Sequence, residues 1–384
     1  MHVLFVSGEY PPMTGGVGAY TQELAQALVA LGVQASVVTS NQAGPPRTEQ
    51  GVTVYPRHRR WRRRTMDQIA ALAQEIGADW VHVQYQTAAF RMNPAINIAP
   101  ARWQSQPFSV AWTYHDLRFP YLFPKLGDEL RIRVNLIPLH GADRILFTTE
   151  VGRAAVKFDR PDAVAIPIGS NISARTFSPA ERAARRHLRG YGADETVVGY
   201  FGFLNRSKGG LSLIRTLAQL VGGGTPAKLL MIGEQVGASD PTNHAYLQEV
   251  EALAQELGVA DRMQWTGFQP DAEVSADLDA CDVILLPYTD GASLRRGSLM
   301  AALAQGCAIV TTSPQDPLPE LEAGRDLLYV AEGDPHQAAS AIQELAADPA
   351  LAQRLRAHAR RASEQFTWER IARRHVAIYH TQDV

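Results

Sequence analysis

The feature that most limits how this chain can fold is a rhythm. Short apolar runs ending in polar or glycine-rich turns alternate with longer segments of helical period. Val3 to Ser7 is followed by an amphipathic stretch from about Val17 to Leu31, then by Gln34 to Thr39. Further strands are expected at Trp80 to Gln84, Phe108 to Tyr114, Arg144 to Thr148 and Val164 to Ile168. Strands separated by helices must run parallel and be covered on both faces, so the alternation implies a doubly wound α/β sheet. A polar, arginine-rich stretch from Ser173 to Asp194 interrupts the rhythm, which restarts at Val197 to Phe201. It continues through Lys228 to Ile232, Met263 to Thr266, Val283 to Pro287 and Ala308 to Thr312 and ends in charged helices. The chain therefore reads as two Rossmann-like doubly wound parallel-sheet domains facing across a cleft. The first spans 1–178 and is completed by a C-terminal helix at about 366–384, and the second spans 195–365. Ligands of such sheets bind outside the carboxyl ends of the strands.

With 384 residues the chain is long enough for two cores at roughly 150 residues each. A formal net charge of -2 gives no global attraction to nucleic acid, so any charged function must be local. Cys281 and Cys307 lie in apolar segments and lack metal-ligand spacing, as expected of buried thiols in a reducing compartment. The apolar run before Gly8 falls short of the ~7 to 15 residues of a signal-peptide core. No stretch approaches the ~18 apolar residues of a membrane span. These features together point to the cytoplasm.

The loop between the first strand and first helix carries Gly15, Gly16 and Gly18, where backbone N–H groups can face a phosphate. A tight turn with close helix packing explains the same glycines. The lysine and hydroxyl residue of an ATPase loop are missing.

The run Pro11-Pro12 to Gly15-Gly16-Val17-Gly18, followed by Glu23-Leu24-Ala25 and Leu28, resembles the opening of the family 4 retaining glycosyltransferases. Trp80 to Gln84, Thr113-Tyr114-His115-Asp116, Gly202 with Lys208-Gly209, and Phe366-Thr367-Trp368 follow in that family's order. The resemblance covers nearly the whole chain and rests on order and spacing. It implies a GT-B fold, a nucleotide-diphosphate sugar as donor, no cofactor or metal, and a last helix that returns to the first domain. It implies that His115 contacts the donor sugar, with Asp116 beside it, and that Lys208 meets the donor diphosphate. The arginine usual after the first glycine of that second-domain motif is Phe203 here, and Arg206 is a candidate replacement. His82 and Gln84 are weaker candidates for acceptor contact.

The largest departure lies at Pro287 to Ser298. Ser293 and Ala301 stand where the family usually has two glutamates that hold the sugar and the ribose. In their place Gly291, Ser293, Leu294, Gly297 and Ser298 form a turn at a helix start, with Arg295 and Arg296 as cationic forks for phosphate and Asp290 as a candidate sugar contact. A solvated helix entrance is the plain alternative. Asp277-Leu278-Asp279 matches a metal-binding pattern of the other large glycosyltransferase fold, but residues two apart on a helix diverge, so a solvated face and no metal are expected. The basic run Arg57 to Arg64, with Trp61 inside it, reads either as a peripheral contact with the inner membrane face or as a mobile basic loop. The expected activity is transfer of a sugar, with retention, to a glycan or lipid-linked acceptor. The alternatives are a non-catalytic nucleotide-sugar-binding relative and, less supported, a nucleotide-sugar epimerase.

Overall fold

A computed structural model describes residues 1–117, 127–157, 159–235 and 241–381. The chain divides into two units, Met1–Gly169 with Thr367–Val384, and Ser170–Phe366. Positions 382–384 of the expected final helix lie outside the described residues.

The first unit holds an eight-stranded sheet: β1 (His2–Ser7), β2 (Gln34–Ser40), β3 (Arg47–Glu49), β4 (Val52–His58), β5 (Trp80–Tyr85), β6 (Ser109–Tyr114), β7 (Arg144–Phe147) and β8 (Val164–Ala165). Their order is β3-β4-β2-β1-β5-β6-β7-β8, and only β3 runs antiparallel, against β4. β1 reads as an unbroken apolar run because both of its faces are covered. Leu4 and Val6 pack with Ile69, Leu72 and Trp112. Val3 and Phe5 pack with Leu24 and Leu28 of the helix Gly16–Ala30, and with Ile371, Ala372 and Tyr379 of the helix Trp368–His380. Each fully buried side chain of this kind contributes about 1.5–3 kcal/mol. The last helix is thereby part of the first unit's core, although it follows the whole second unit in sequence.

The second unit holds β9 (Thr196–Phe201), β10 (Ala227–Ile232), β11 (Met263–Trp265), β12 (Val283–Leu286), β13 (Ile309–Thr312) and β14 (Leu328–Val330), all parallel, in the order β11-β10-β9-β12-β13-β14. The strand order reverses between β1 and β5 in one sheet and between β9 and β12 in the other. At such a switch point neighbouring loops part and leave a crevice.

The stretch 170–194 packs with the second unit. Its helix Pro179–Leu188 starts with a reciprocal Ser178–Glu181 cap. The helix directs Arg185 and Arg189 onto Asp277, whose side chain is fully buried, at 2.6 and 2.5 Å. The helix expected at Asp271–Ala280 is present, but its Asp277 does not sit on a solvated face. Two arginines offset the desolvation of the carboxylate, and both its oxygens are engaged.

Candidate functional site

In the second unit, the loops that leave β9 and β12 flank the switch point. The turn Arg206–Lys208 ends at Gly209, which is left-handed (φ 70°). A Cβ there would lie 1.8 Å from the Pro287 carbonyl, so only glycine lets the two loops touch. The Thr289 N–H donates to the Ser207 carbonyl (3.1 Å) and joins them further. This approach brings Lys208 to the start of the helix Gly297–Gln305. Its ammonium donates to Ser298 Oγ (2.9 Å), and that hydroxyl also meets Tyr288 Oη (2.7 Å). Lys208 Nζ and Arg296 Cζ both lie over the Tyr288 ring, 5.1 and 4.8 Å from its centre. Arg296 also donates to Ser207 Oγ (3.2 Å), yet its buried Nε has no partner.

Asp290 is engaged by Arg296 and, at 3.2 Å, by Arg295, so its carboxylate braces the two cations. Burial, and next the neighbouring Arg296, hold the Lys208 ammonium down to about 7, with Asp290 opposing. The helix beside these cations has no acidic residue in its first turn and no side-chain cap. Lys208, Arg295, Arg296 and a helix N-terminus of the same sign thus gather around the single carboxylate of Asp290 at the switch point, a surplus of positive charge that a further anion would relieve.

Other expected residues take different places. Arg206 turns away, ion-pairs with Glu249 (2.5 Å), lies over Tyr246 and is largely exposed. It does not replace the charge absent at Phe203. Gly291 and Leu294 are buried in the turn, and Gly297 begins the helix. Ser293 is half-buried, with its hydroxyl 3.5 Å from the Arg295 N–H. Ala301 lies in the core.

In the first unit the glycine loop has an occupant that the sequence reading missed. The Glu9 carboxylate accepts from the N–H groups of Val17 (3.0 Å) and Gly18 (3.2 Å), at the start of the helix that begins with Gly16. A Cβ on Gly15 would lie 2.1 Å from Glu9 Oε1. The glycines therefore make room for an internal carboxylate where a donor phosphate was expected. Burial raises the Glu9 carboxyl, with the two N–H donors opposing.

His115 follows β6 and is half-buried. Its Nε2 pairs with Gln84 Oε1 (2.9 Å), and its ring meets Tyr20 edge-on at 4.6 Å. Burial, and next His375, hold its imidazole down to about 3. Asp116 accepts from Gln86 (3.0 Å). His82 is not an acceptor contact. It is fully buried and bonded to Tyr379 (2.5 Å) and Thr113 (2.7 Å), which ties the last helix to the sheet. Trp61 is also corrected: it packs edge-on against Phe90 at 4.7 Å inside the core and offers no membrane anchor. No helix among the described residues is long and apolar enough to cross a membrane.

The groups at these two helix starts that the sequence reading passed over are Tyr288, Ser207 and Glu9. The position of Tyr288, two residues past the apolar run of β12, was the available signal.

Lysine, arginine and hydroxyl groups thus line a sheet switch point in a chain of two doubly wound units. Residues 14–171 match the family model "Glycosyltransferase Family 4", and residues 195–348 match "Glycosyl transferases group 1". The chain belongs to this glycosyltransferase family, and its fold is GT-B. The "D-inositol 3-phosphate glycosyltransferase" of Corynebacterium jeikeium is 26% identical over 208 residues, covering 53% of this chain and 48% of that protein. The chain spans about half the length of the curated relatives it matches first. Among solved structures, sucrose-phosphate synthase from Thermosynechococcus elongatus superposes with TM-score 0.75 at 22% identity, covering 99% of this chain and 98% of that one. Anabaena HepE in complex with UDP superposes with TM-score 0.76 at 18% identity, covering 98% and 99%.

Proposed function

We propose that this chain transfers a sugar from a nucleotide-diphosphate donor to an acceptor hydroxyl, with retention at the anomeric carbon. The observation that carries the reading is the convergence of Lys208, Arg296 and Ser298 on the start of the helix Gly297–Gln305 at the β9/β12 switch point. In this reaction negative charge develops on the departing diphosphate, and fixed donors aimed at it contribute on the order of 3 kcal/mol each. Lys208 and Arg296 supply that charge from side chains, without a metal ion. The bond from the sugar carbon to the phosphate oxygen breaks, and the acceptor oxygen bonds the same face. The acceptor's proton passes to the leaving phosphate. No protein carboxylate need act as nucleophile, so transfer is compatible with serine and alanine at positions 293 and 301. His115 takes the role given by the resemblance, contact with the donor sugar. HepE has been crystallised with UDP-glucose, which makes that donor the first to try.

The test is a thermal-shift and turnover screen against UDP-, GDP-, ADP- and TDP-sugars without added metal. A donor at about 100 times its dissociation constant should stabilise the chain by roughly 2.7 kcal/mol. Turnover with a retained anomer supports the proposal. Binding without turnover leaves a sugar-nucleotide-binding relative, and no response to any donor overturns the assigned site.

A further inference from the structure

Arg60, Trp61, Arg62, Phe90, Arg91 and Asn93 line a cavity of about 220 Å³ in the first unit. It lies where the chain leaves β4 and β5, at the carboxyl edge of the sheet. We infer that this arginine pocket is a binding site for a phosphoryl group, carried by a phosphate ester or a phospholipid headgroup.

Two loops build it, and both are held firmly. Thr65 Oγ1 accepts from the Arg62 N–H (3.1 Å) and donates to the Arg60 carbonyl (2.9 Å), which fixes the backbone of both arginines while their side chains stay exposed. On the other side, Arg91 and Met92 are consecutive non-glycine residues in the left-handed region, at φ 56° and 58°. The Arg91 N–H donates to the Ala88 carbonyl and the Met92 N–H to the Thr87 carbonyl. Strained backbone of this kind persists where the surroundings over-determine it, and it concentrates at binding sites. The edge-on contact of Trp61 with Phe90 locks the loops together and floors the pocket with aromatic carbon.

Arg91 donates to the neutral Gln42 amide, and none of the three guanidinium groups forms an ion pair among the described residues. Three cations around one concavity repel one another. A phosphate relieves that repulsion and matches the planar fork of each arginine with two oxygens. On the transferase reading the bound phosphate belongs to the acceptor. That assignment rests on the proposed function, whereas the pocket's affinity for phosphate does not.

The experiment uses the full chain carrying Lys208→Ala, so that the second unit's cationic crevice is impaired. It is titrated by calorimetry with inorganic phosphate and methyl phosphate. It is also sedimented with vesicles of phosphatidylcholine alone or mixed with phosphatidylglycerol. Saturable binding of the soluble phosphates identifies a phosphate-ester ligand, and binding only to the anionic vesicles identifies a headgroup. Either result must weaken about tenfold or more in Arg60→Ser/Arg62→Ser, and separately in Arg91→Asn, a side chain that tolerates the left-handed backbone. Arg373→Ser, an exposed arginine elsewhere in the unit, should change neither. Binding of no probe, or binding that both pocket variants leave within about twofold, overturns the inference. Unchanged melting of the Arg60/Arg62 variant shows that the fold is intact. Loss of sugar-nucleotide binding in the otherwise native chain, with phosphate capture kept, would remove the transferase reading alone.

Discussion

Beside β1, the helix that begins at Gly16 meets the carboxylate of Glu9. Beside β12, the helix that begins at Gly297 meets the ammonium of Lys208 and the guanidinium of Arg296. Both helices start at the carboxyl edge of a doubly wound sheet, next to its switch point. The first has its positive end neutralised from within, and the second has positive charge added to it. On the proposed function, an external diphosphate would gain little at the first and much at the second. The same topology thus yields two helix starts of opposite local charge, with Glu9 on the loop that leads into the first and Lys208 and Arg296 beside the second.

The sharpest separation of the two regions is by acid. The first unit buries neutral histidines: His82 is held well below its ordinary value, His115 is lowered to about 3, and His58 and His375 to about 4, in each case chiefly by burial. A depressed folded-state pKa gives stability that is present above 6.5 and lost as pH falls from there toward 4. Each such group withdraws about 1.4 kcal/mol per pH unit in that window. Hydrogen exchange followed from pH 7 to pH 4 should show protection collapsing in β5, β6 and the helix Trp368–His380 before β9 and β12. Simultaneous loss would break the distinction.

Next in size is the donor itself. Lys208→Ala or Arg296→Ala should weaken sugar-nucleotide affinity roughly 10- to 100-fold, the worth of one or two hydrogen bonds to a charged group. Arg206→Ala should be near neutral, because its guanidinium is spent on Glu249. An Arg206 effect as large as that of Arg296 would contradict the pairing of Arg206 with Glu249.

The pH dependence of donor binding has a definite sign. Lys208 is depressed from its ordinary 10.5 to about 7, so above pH 7 the free chain carries it increasingly neutral. Its ammonium must regain a proton to pair with a diphosphate. Affinity should therefore fall from pH 7 to 9, by up to about tenfold per unit, with proton uptake measurable by calorimetry in buffers of different ionisation enthalpy. Lys208→Arg should flatten this profile.

The smallest effect belongs to the first of the two helix starts. Glu9→Ala should cost about 1 kcal/mol of stability through loss of two helix-start hydrogen bonds, read by chemical denaturation, and leave donor affinity unchanged. A drop in donor affinity in that variant would show that the first unit's loop serves the donor after all.

Reading the sequence located the loops better than it located their charges. Lys208 and Arg296 were candidates by their place after strand-like runs, and both lie over the Tyr288 ring. Arg206, two positions from Lys208, was a candidate on the same grounds, but in a tight turn residues two apart point differently. Trp61 sits in the most basic run of the chain and still packs in the core, because β4, unanticipated, carries the chain inward just before it. Glu9 escaped notice because nothing local marks a carboxylate eight residues ahead of the N–H groups it accepts from.

What the sequence by itself determined is the alternation of strand and helix, hence two doubly wound parallel sheets, and with it the carboxyl strand ends, the edge at which such sheets generally bind ligands. Those are short-range properties, written in the period of apolar residues along a few turns of chain. Only the tertiary structure decided that Glu9 closes one helix start, that Asp277 is shared by two arginines, and that Lys208, Arg296 and Ser298 meet around Tyr288. Each of those outcomes joins groups 8 to 92 residues apart, and the direction a side chain takes at such a meeting is set by what packs beside it rather than by its neighbours in sequence.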